Sequence, residues 1–436
     1  MRRETRATQI DLTWYILNTL REHAGKKATR VKKTHFYGYN IVGAGFLIQA
    51  AGGGAMATYG IFFNYIQNEF GWDRALISGA TSVLFLVMGT AGIVAGRLTD
   101  RIGPRVIMTV AGVLLGLGYI LMKPLAIPVQ LYLAIGVFVG LGMSAQDVPT
   151  LSTVARWFVR RRGMMSGIVK VGTGVGQLVF PIVVGALIAG FGWRNAYLWM
   201  GVVVLAVIVL AAQILRRDPG RMGLLPDGDP ASNAEQVRKM ESGLSSRAAL
   251  RTLQFWLVCA ANFAMVFCLI TTLVHLVPHA IDIGVESGRA GVLLSVIGGV
   301  SIVARLGMGT AADRIGARKA FFVCFVVLLV GFLWLRGASS LWMLVVYAAL
   351  DGFARGGSFA VISPMVAELF GTRAHGYLFG IVNFAGTLGG ALGPLVAGRI
   401  FDVSQSYQWT FLLLAAFSAA GMVLLACLKP LPARSE

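Results

Sequence analysis

Apolar runs of about twenty residues recur from one end of this chain to the other, and they decide most of what it can fold into. A run of that length crosses the ~30 Å hydrocarbon core of a bilayer as a helix. Lipid offers no hydrogen-bond partners, so a spanning backbone must satisfy itself, either as a helix or in a closed barrel. These runs are too long and too continuous for barrel strands. Charge agrees: Asp, Glu, Lys and Arg make up 13% of the 436 residues, against about 25% in soluble globular chains. The chain is expected to be an all-α, polytopic membrane protein.

A charged, Gly-punctuated stretch divides two of the runs. Gly96–Arg105 reads Gly-Arg-Leu-Thr-Asp-Arg-Ile-Gly-Pro-Arg and returns as Gly309–Arg318, identical at six of ten positions and displaced by 213 residues. The same displacement aligns Gly167–Thr173 with Gly380–Gly386 and Pro181 with Pro394. Half of the chain therefore repeats the other half, with the charged turn at one corner of each. Twelve spans are expected: Tyr37–Tyr65, Ala75–Leu98, Val106–Met122, Val129–Ala155, Gly163–Ile188 and Asn195–Leu215, then Phe255–His279, Ala290–Ala312, Ala320–Leu335, Leu341–Leu369, Tyr377–Ile400 and Trp409–Leu428. The implied organisation is a basic leader (1–36), a six-helix bundle (37–215), a polar linker (216–254), a second six-helix bundle (255–428) and a short tail (429–436). Within the leader, Ile10–Leu20 has the pattern of a short amphipathic surface helix; a solvated leader is the alternative. Two like-oriented halves predict a ligand site near the midplane between them.

The net charge is +19. Its distribution reads as topology and not as nucleic-acid binding, because Lys and Arg crowd alternate loops. The leader, both charged turns, Arg156–Arg162, the linker, Arg373 and the tail fall on one side; Arg74, Lys123, Arg194, Arg289, Arg336 and Arg399 fall on the other. The crowded side is expected to be cytoplasmic, with both termini inside a plasma membrane of the bacterial inner-membrane kind. The four cysteines sit in or beside apolar runs and read as small buried hydrophobes. No cofactor or metal motif, Walker loop or nucleophile–base set stands out, which argues against an enzyme.

At this level the chain resembles the major facilitator superfamily over roughly Tyr37 to Leu428, on its twelve spans, its halves and its two charged turns. That resemblance implies a gate on the cytoplasmic side. Asp100 and Asp313 would face the ends of neighbouring helices, and Arg101, Arg105, Arg314 and Arg318 would pair with acids across the gate. Glu368 is a candidate partner in the second half; its pseudo-equivalent in the first half is Ala155.

Two further stretches are similar to monocarboxylate transporters and the related oxalate–formate antiporters. Phe70-Gly71-Trp72-Asp73-Arg74-Ala75 follows the first span, and Leu293-Leu294-Ser295-Val296-Ile297-Gly298 with Ala304-Arg305 lies in the eighth. The resemblance places Arg305 on a substrate-binding arginine. The chain departs from that pattern at Ser301, where animal monocarboxylate carriers have an acid, and at Ala57, where they have a lysine. Where the antiporters carry a second basic residue in span 11, this chain has Asn383.

Charges inside a membrane cost about 2.5–3.5 kcal/mol each at the centre and point to function. Arg305 lies eight residues before Asp313, ~12 Å along a helix, and Lys170 seven residues after Gly163, ~10 Å. The two basic groups share a depth, one in each half, where a small anion would be held. Asp147 lies at similar depth; it either neutralises Lys170 or forms with it a proton-sensitive pair. Asp351 and Arg355 are four apart and should pair on one helix face; His275, near the outer end of span 7, is a further proton-coupling candidate with Asp147 and Asp351. Asn383, Tyr59 and Tyr119, with Gln49 and Asn262, are candidates to line the cavity.

These residues point to a secondary transporter of a small organic anion, a monocarboxylate carried with a proton, working in the bilayer as a monomer. Exchange of a carboxylate for a counter-anion, as in oxalate–formate antiport, is the alternative, since two cations suit a dicarboxylate. A non-transporting sensor on the same scaffold would need a signalling domain that neither leader nor linker is long enough to supply.

Overall fold

Helices account for nearly all of the residues described by the computed structural model, 36–228 and 243–429 with the side chains of residues 287 and 288 excepted, and no strand occurs among them. Ten of these helices are long and apolar enough to cross a membrane. One of the ten, Arg162–Ile214, bends at Gly192 and serves as two spans; the shorter apolar helix Pro104–Ile120 completes twelve. In order they are α1 (Gly38–Phe70), α2 (Arg74–Ile102), α3 (Pro104–Ile120), α4 (Pro128–Trp157), α5 (162–191), α6 (193–214), α7 (Leu253–Asp282), α8 (Val292–Ile315), α9 (Ala317–Leu335), α10 (Leu341–Phe370), α11 (His375–Ser404) and α12 (Gln408–Ala426). Every expected span is present with ends displaced by a few residues. The amphipathic stretch Ile10–Leu20, nearly all of the leader, the middle of the linker and most of the tail lie outside the described residues.

The charged stretches differ from the turns expected of them. α2 runs through Asp100 to Ile102, and only Gly103 leaves the helix, at φ 97°. α8 likewise runs to Ile315 and reverses at Gly316, at φ 89°. A side chain is strained in that backbone region, so glycine lets two long helices fold back within one residue. Asp100 and Asp313 therefore sit on rigid last turns.

Within each half, α1 packs against α5 and α3 against the α5–α6 pair, while α7 packs against α11 and α8 against α10. Between the halves, α2 lies along α11 and α5 along α8. These seams close at the linker side through bare backbone. A Cβ on Gly163 would strike the Gly309 carbonyl oxygen, and one on Gly96 would strike that of Gly376. Small residues let transmembrane helices approach this closely.

α4 is irregular where function was expected. It is π-helical over Tyr132–Val139, regains α geometry over Gly140–Ser144, loosens at Ala145 and Gln146, and resumes at Asp147. Asp147 thus opens a helical segment, where the positive end of the segment's dipole favours a carboxylate. Three of the four cysteines are buried as expected; Cys427 is exposed, at the end of α12.

Candidate functional site

Arg305 reaches across the halves to the backbone of Lys170. Arg305, on α8, is 5% exposed and Lys170, on α5, is 6%. The Arg305 guanidinium donates from Nη1 to the Lys170 carbonyl oxygen at 2.7 Å. Its Nε is buried and makes no hydrogen bond. Gly174 makes room for it: a Cβ there would stand 2.9 Å from Nη1. Ser301, one turn before Arg305 on α8, is buried too. No carboxylate pairs with Arg305 among the described residues.

Lys170 is not free. Its ammonium donates to Asp147 Oδ1 at 2.8 Å and stands 5.7 Å from the centre of the Phe359 ring on α10. Asp147 Oδ1 also accepts from Gln49 Nε2 at 2.8 Å. The Asp147 side chain remains 31% exposed, deep between helices whose linker-side ends are closed. The site is thus a guanidinium with an unused N–H, beside an ammonium already neutralised by a part-exposed carboxylate.

Asp351 and Arg355 pair, as expected, at 3.0 Å. Both Asp351 oxygens are engaged, Oδ1 by Thr272 and Oδ2 by Arg355, and the side chain is fully buried. This ties the pair to the packing of α7 on α10. His275 bonds the Tyr407 hydroxyl at 3.2 Å and the Pro394 carbonyl oxygen at 3.1 Å. The structure does not bring Tyr59 or Tyr119 to Arg305: the Tyr59 hydroxyl donates to the Ile77 carbonyl oxygen on α2, and Tyr119 is 3% exposed with its ring near Tyr197 in the first bundle. Asn383 is half-buried on α11. Asn262 donates to the Val382 carbonyl oxygen.

The aspartates expected at the gate, Asp100 and Asp313, face helix ends in both halves. Asp100 accepts the Gly376 and Tyr377 N–H groups at 3.0 and 2.9 Å, at the start of α11. Asp313 accepts those of Gly163 and Met164 at 2.6 and 2.8 Å, at the start of α5. These are the donors a helix leaves unsatisfied at its N-terminus. The expected arginine–acid pairs do not occur among the described residues. Arg105 bonds the Gln213 side chain, Arg318 bonds the Ala426 carbonyl oxygen, and neither Arg101 nor Arg314 has an acid partner among the described residues. Both are exposed, in the last turns of α2 and α8. The arginine that does pair is Arg156, at the end of α4, with Asp100. In sequence it is one of several basic residues, and only the helix rotation singles it out. Glu368 serves its own half, accepting the Ala317 N–H at the start of α9 at 2.8 Å.

A family model described as Major Facilitator Superfamily matches residues 45–310 and 276–436. Among known proteins, Monocarboxylate transporter 12 of Homo sapiens is 25% identical over 431 residues, covering 92% of this chain and 84% of its own length. Monocarboxylate transporter 13 of Rattus norvegicus is 27% identical over 388 residues, covering 88% and 87%. Among solved structures, the proton:xylose symporter XylE bound to 6-bromo-6-deoxy-D-glucose superposes with a TM-score of 0.73 at 13% identity, over 89% of this chain and 94% of that one. The human organic anion transporter MFSD10 (TETRAN) does so with 0.68 at 15%, over 89% and 99%.

Proposed function

Because the chain belongs to the major facilitator superfamily and is related to monocarboxylate transporters, we propose that it is a secondary active transporter that carries a small monocarboxylate together with a proton by alternating access. The observation that carries this reading is the meeting of Arg305 and Lys170 across the two halves, with Asp147 on Lys170. Asp147 offsets Lys170 and Asp351 offsets Arg355, which leaves Arg305 as the uncompensated charge. A proton on Asp147 and a monoanion together leave that single charge unchanged, whereas a proton and a dianion would cancel it, so the symport reading is preferred to oxalate–formate exchange.

The chemistry follows from the pairings. A proton on Asp147 dissolves its ion pair and frees the Lys170 ammonium. A carboxylate then takes two N–H groups of the Arg305 fork, which suits bidentate binding, with Lys170 as a second positive contact. Proton and monoanion add no net charge, so loaded and unloaded carriers cross with the same charge. In this reading access is from the side opposite the linker, because the seams are closed on the linker side; a cavity of about 590 Å³ lies at the far end of α1, lined by Gly60, Ile61, Asn64, Tyr65 and Asn68. Closure there and parting of the α2–α11 and α5–α8 seams would deliver the pair to the linker side, which the Lys and Arg bias makes the cytoplasm.

The test is uptake of labelled short-chain monocarboxylates and dicarboxylates into vesicles holding the purified chain, with and without an imposed pH gradient. The proposal expects monocarboxylate accumulation driven by the gradient and indifferent to membrane potential. Accumulation by exchange alone, without a gradient, would establish antiport; no carboxylate movement at all would leave only the fold.

A further inference from the structure

We propose that Gln49 is a positioning residue for proton coupling: it turns Asp147 so that both of its fixed donors lie on Oδ1, and keeps Oδ2 as the oxygen that takes the proton. The inference rests on the proton-coupled reading above and assigns a new role within that site. Gln49 is fully buried on α1, where a long polar side chain is costly unless every polar atom is bonded. Its Nε2 donates to Asp147 Oδ1 at 2.8 Å, to the Gln146 carbonyl oxygen at 3.1 Å and to the Thr150 hydroxyl at 3.2 Å. Its Oε1 accepts from the Thr173 hydroxyl at 2.7 Å and from the Lys170 ammonium at 3.4 Å. An ammonium only donates, so the amide has one orientation, with its NH2 toward Asp147. The loosened turn of α4 at Ala145 and Gln146 brings the Gln146 carbonyl oxygen within reach.

The consequence falls on Asp147. Lys170 and Gln49 both bond Oδ1, while Oδ2 has no hydrogen bond among the described residues and the side chain is 31% exposed. Lys170 from α5 is the cation bonded to this carboxylate, and Arg305 from α8 is bonded to the Lys170 carbonyl oxygen. α10, also packed on α4, brings Asp351 and Arg355, which neutralise each other. The charged groups that α2 and α11 turn toward α4 lie at the gate, where Asp100 meets Arg156 and the N-terminus of α11. Among the described residues Gln49 is thus the one neutral side-chain donor to the Asp147 carboxylate, and it spans α1, α4 and α5 to do so.

Two readouts on the full chain in vesicles test this. The first is the infrared band of the protonated Asp147 carboxyl, identified by its loss in Asp147→Asn; the second is the pH profile of monocarboxylate uptake. Gln49→Leu keeps the volume and removes the donor, so the band should persist to about one pH unit higher, and the uptake profile should move the same way. Thr173→Val, which only loosens the amide, should give a smaller shift of the same sign and decides the matter if Gln49→Leu does not fold. Infrared titrations of the variants that coincide with the native chain would overturn the proposal. If no form of the chain moves a carboxylate while the band still shifts, the positioning role stands and the transport reading falls.

Discussion

The node where α1, α4 and α5 meet has a counterpart among α7, α10 and α11, displaced by the same 213 residues, and the two carry different chemistry. Gln49, Asp147, Lys170 and Thr173 correspond to Asn262, Ala360, Asn383 and Gly386. The first node holds an acid, a base and an amide in one hydrogen-bonded cluster. At the second, Asn262 bonds a backbone carbonyl oxygen and none of the corresponding residues is charged. Arg305 corresponds to Gly92, so the guanidinium has no twin either. The linker-side gate kept both copies: Asp100 and Asp313 each cap the helix of the opposite half. On the proposed function, rocking two halves shut calls for matching contacts on both seams. Holding one small anion and one proton, as proposed, does not, and there the duplicate is free to diverge.

Several substitutions would break or sharpen that contrast. The largest effect is expected of Arg305→Lys, which keeps the charge but loses the fork: uptake should fall by about thirtyfold or more while the chain still folds. Normal uptake would remove Arg305 from the site. Lys170→Asn copies the second half into the first and should weaken the half-saturating carboxylate concentration by about tenfold; an unchanged value would make Lys170 structural. The smallest effects concern the gate, read as labelling of single cysteines on the linker side. Asp100→Asn loses Arg156 as well as part of two N–H bonds and should raise labelling about fivefold, whereas Asp313→Asn should raise it about twofold. Equal increases would mean that the Asp100–Arg156 pair adds nothing to a lock that is otherwise symmetric.

Much of the fold was legible because lipid leaves a spanning backbone few choices, so each apolar run had to be a helix and only its ends were open. The depth match of Arg305 and Lys170 was readable by counting residues along those helices. Their company was not. Which of the basic residues from Arg156 to Arg162 meets Asp100 depends on the rotation of α4, and Arg101, Arg105, Arg314 and Arg318 read alike in sequence while none pairs with an acid among the described residues. Tyr119 looks like a pore residue by type yet faces α6. Gln49 was legible only as a polar candidate to line the cavity, and its bonds to Asp147 and Thr173 were not, since its partners lie 97 to 124 residues away.

The division of labour between the halves is most directly tested by Asp147→Asn in vesicles, measuring proton-gradient-driven accumulation and carboxylate exchange side by side. The account predicts that accumulation is lost while exchange continues, because Asn mimics the protonated acid and leaves Lys170 and Arg305 free for the anion. Gradient-driven accumulation equal to that of the native chain would contradict it.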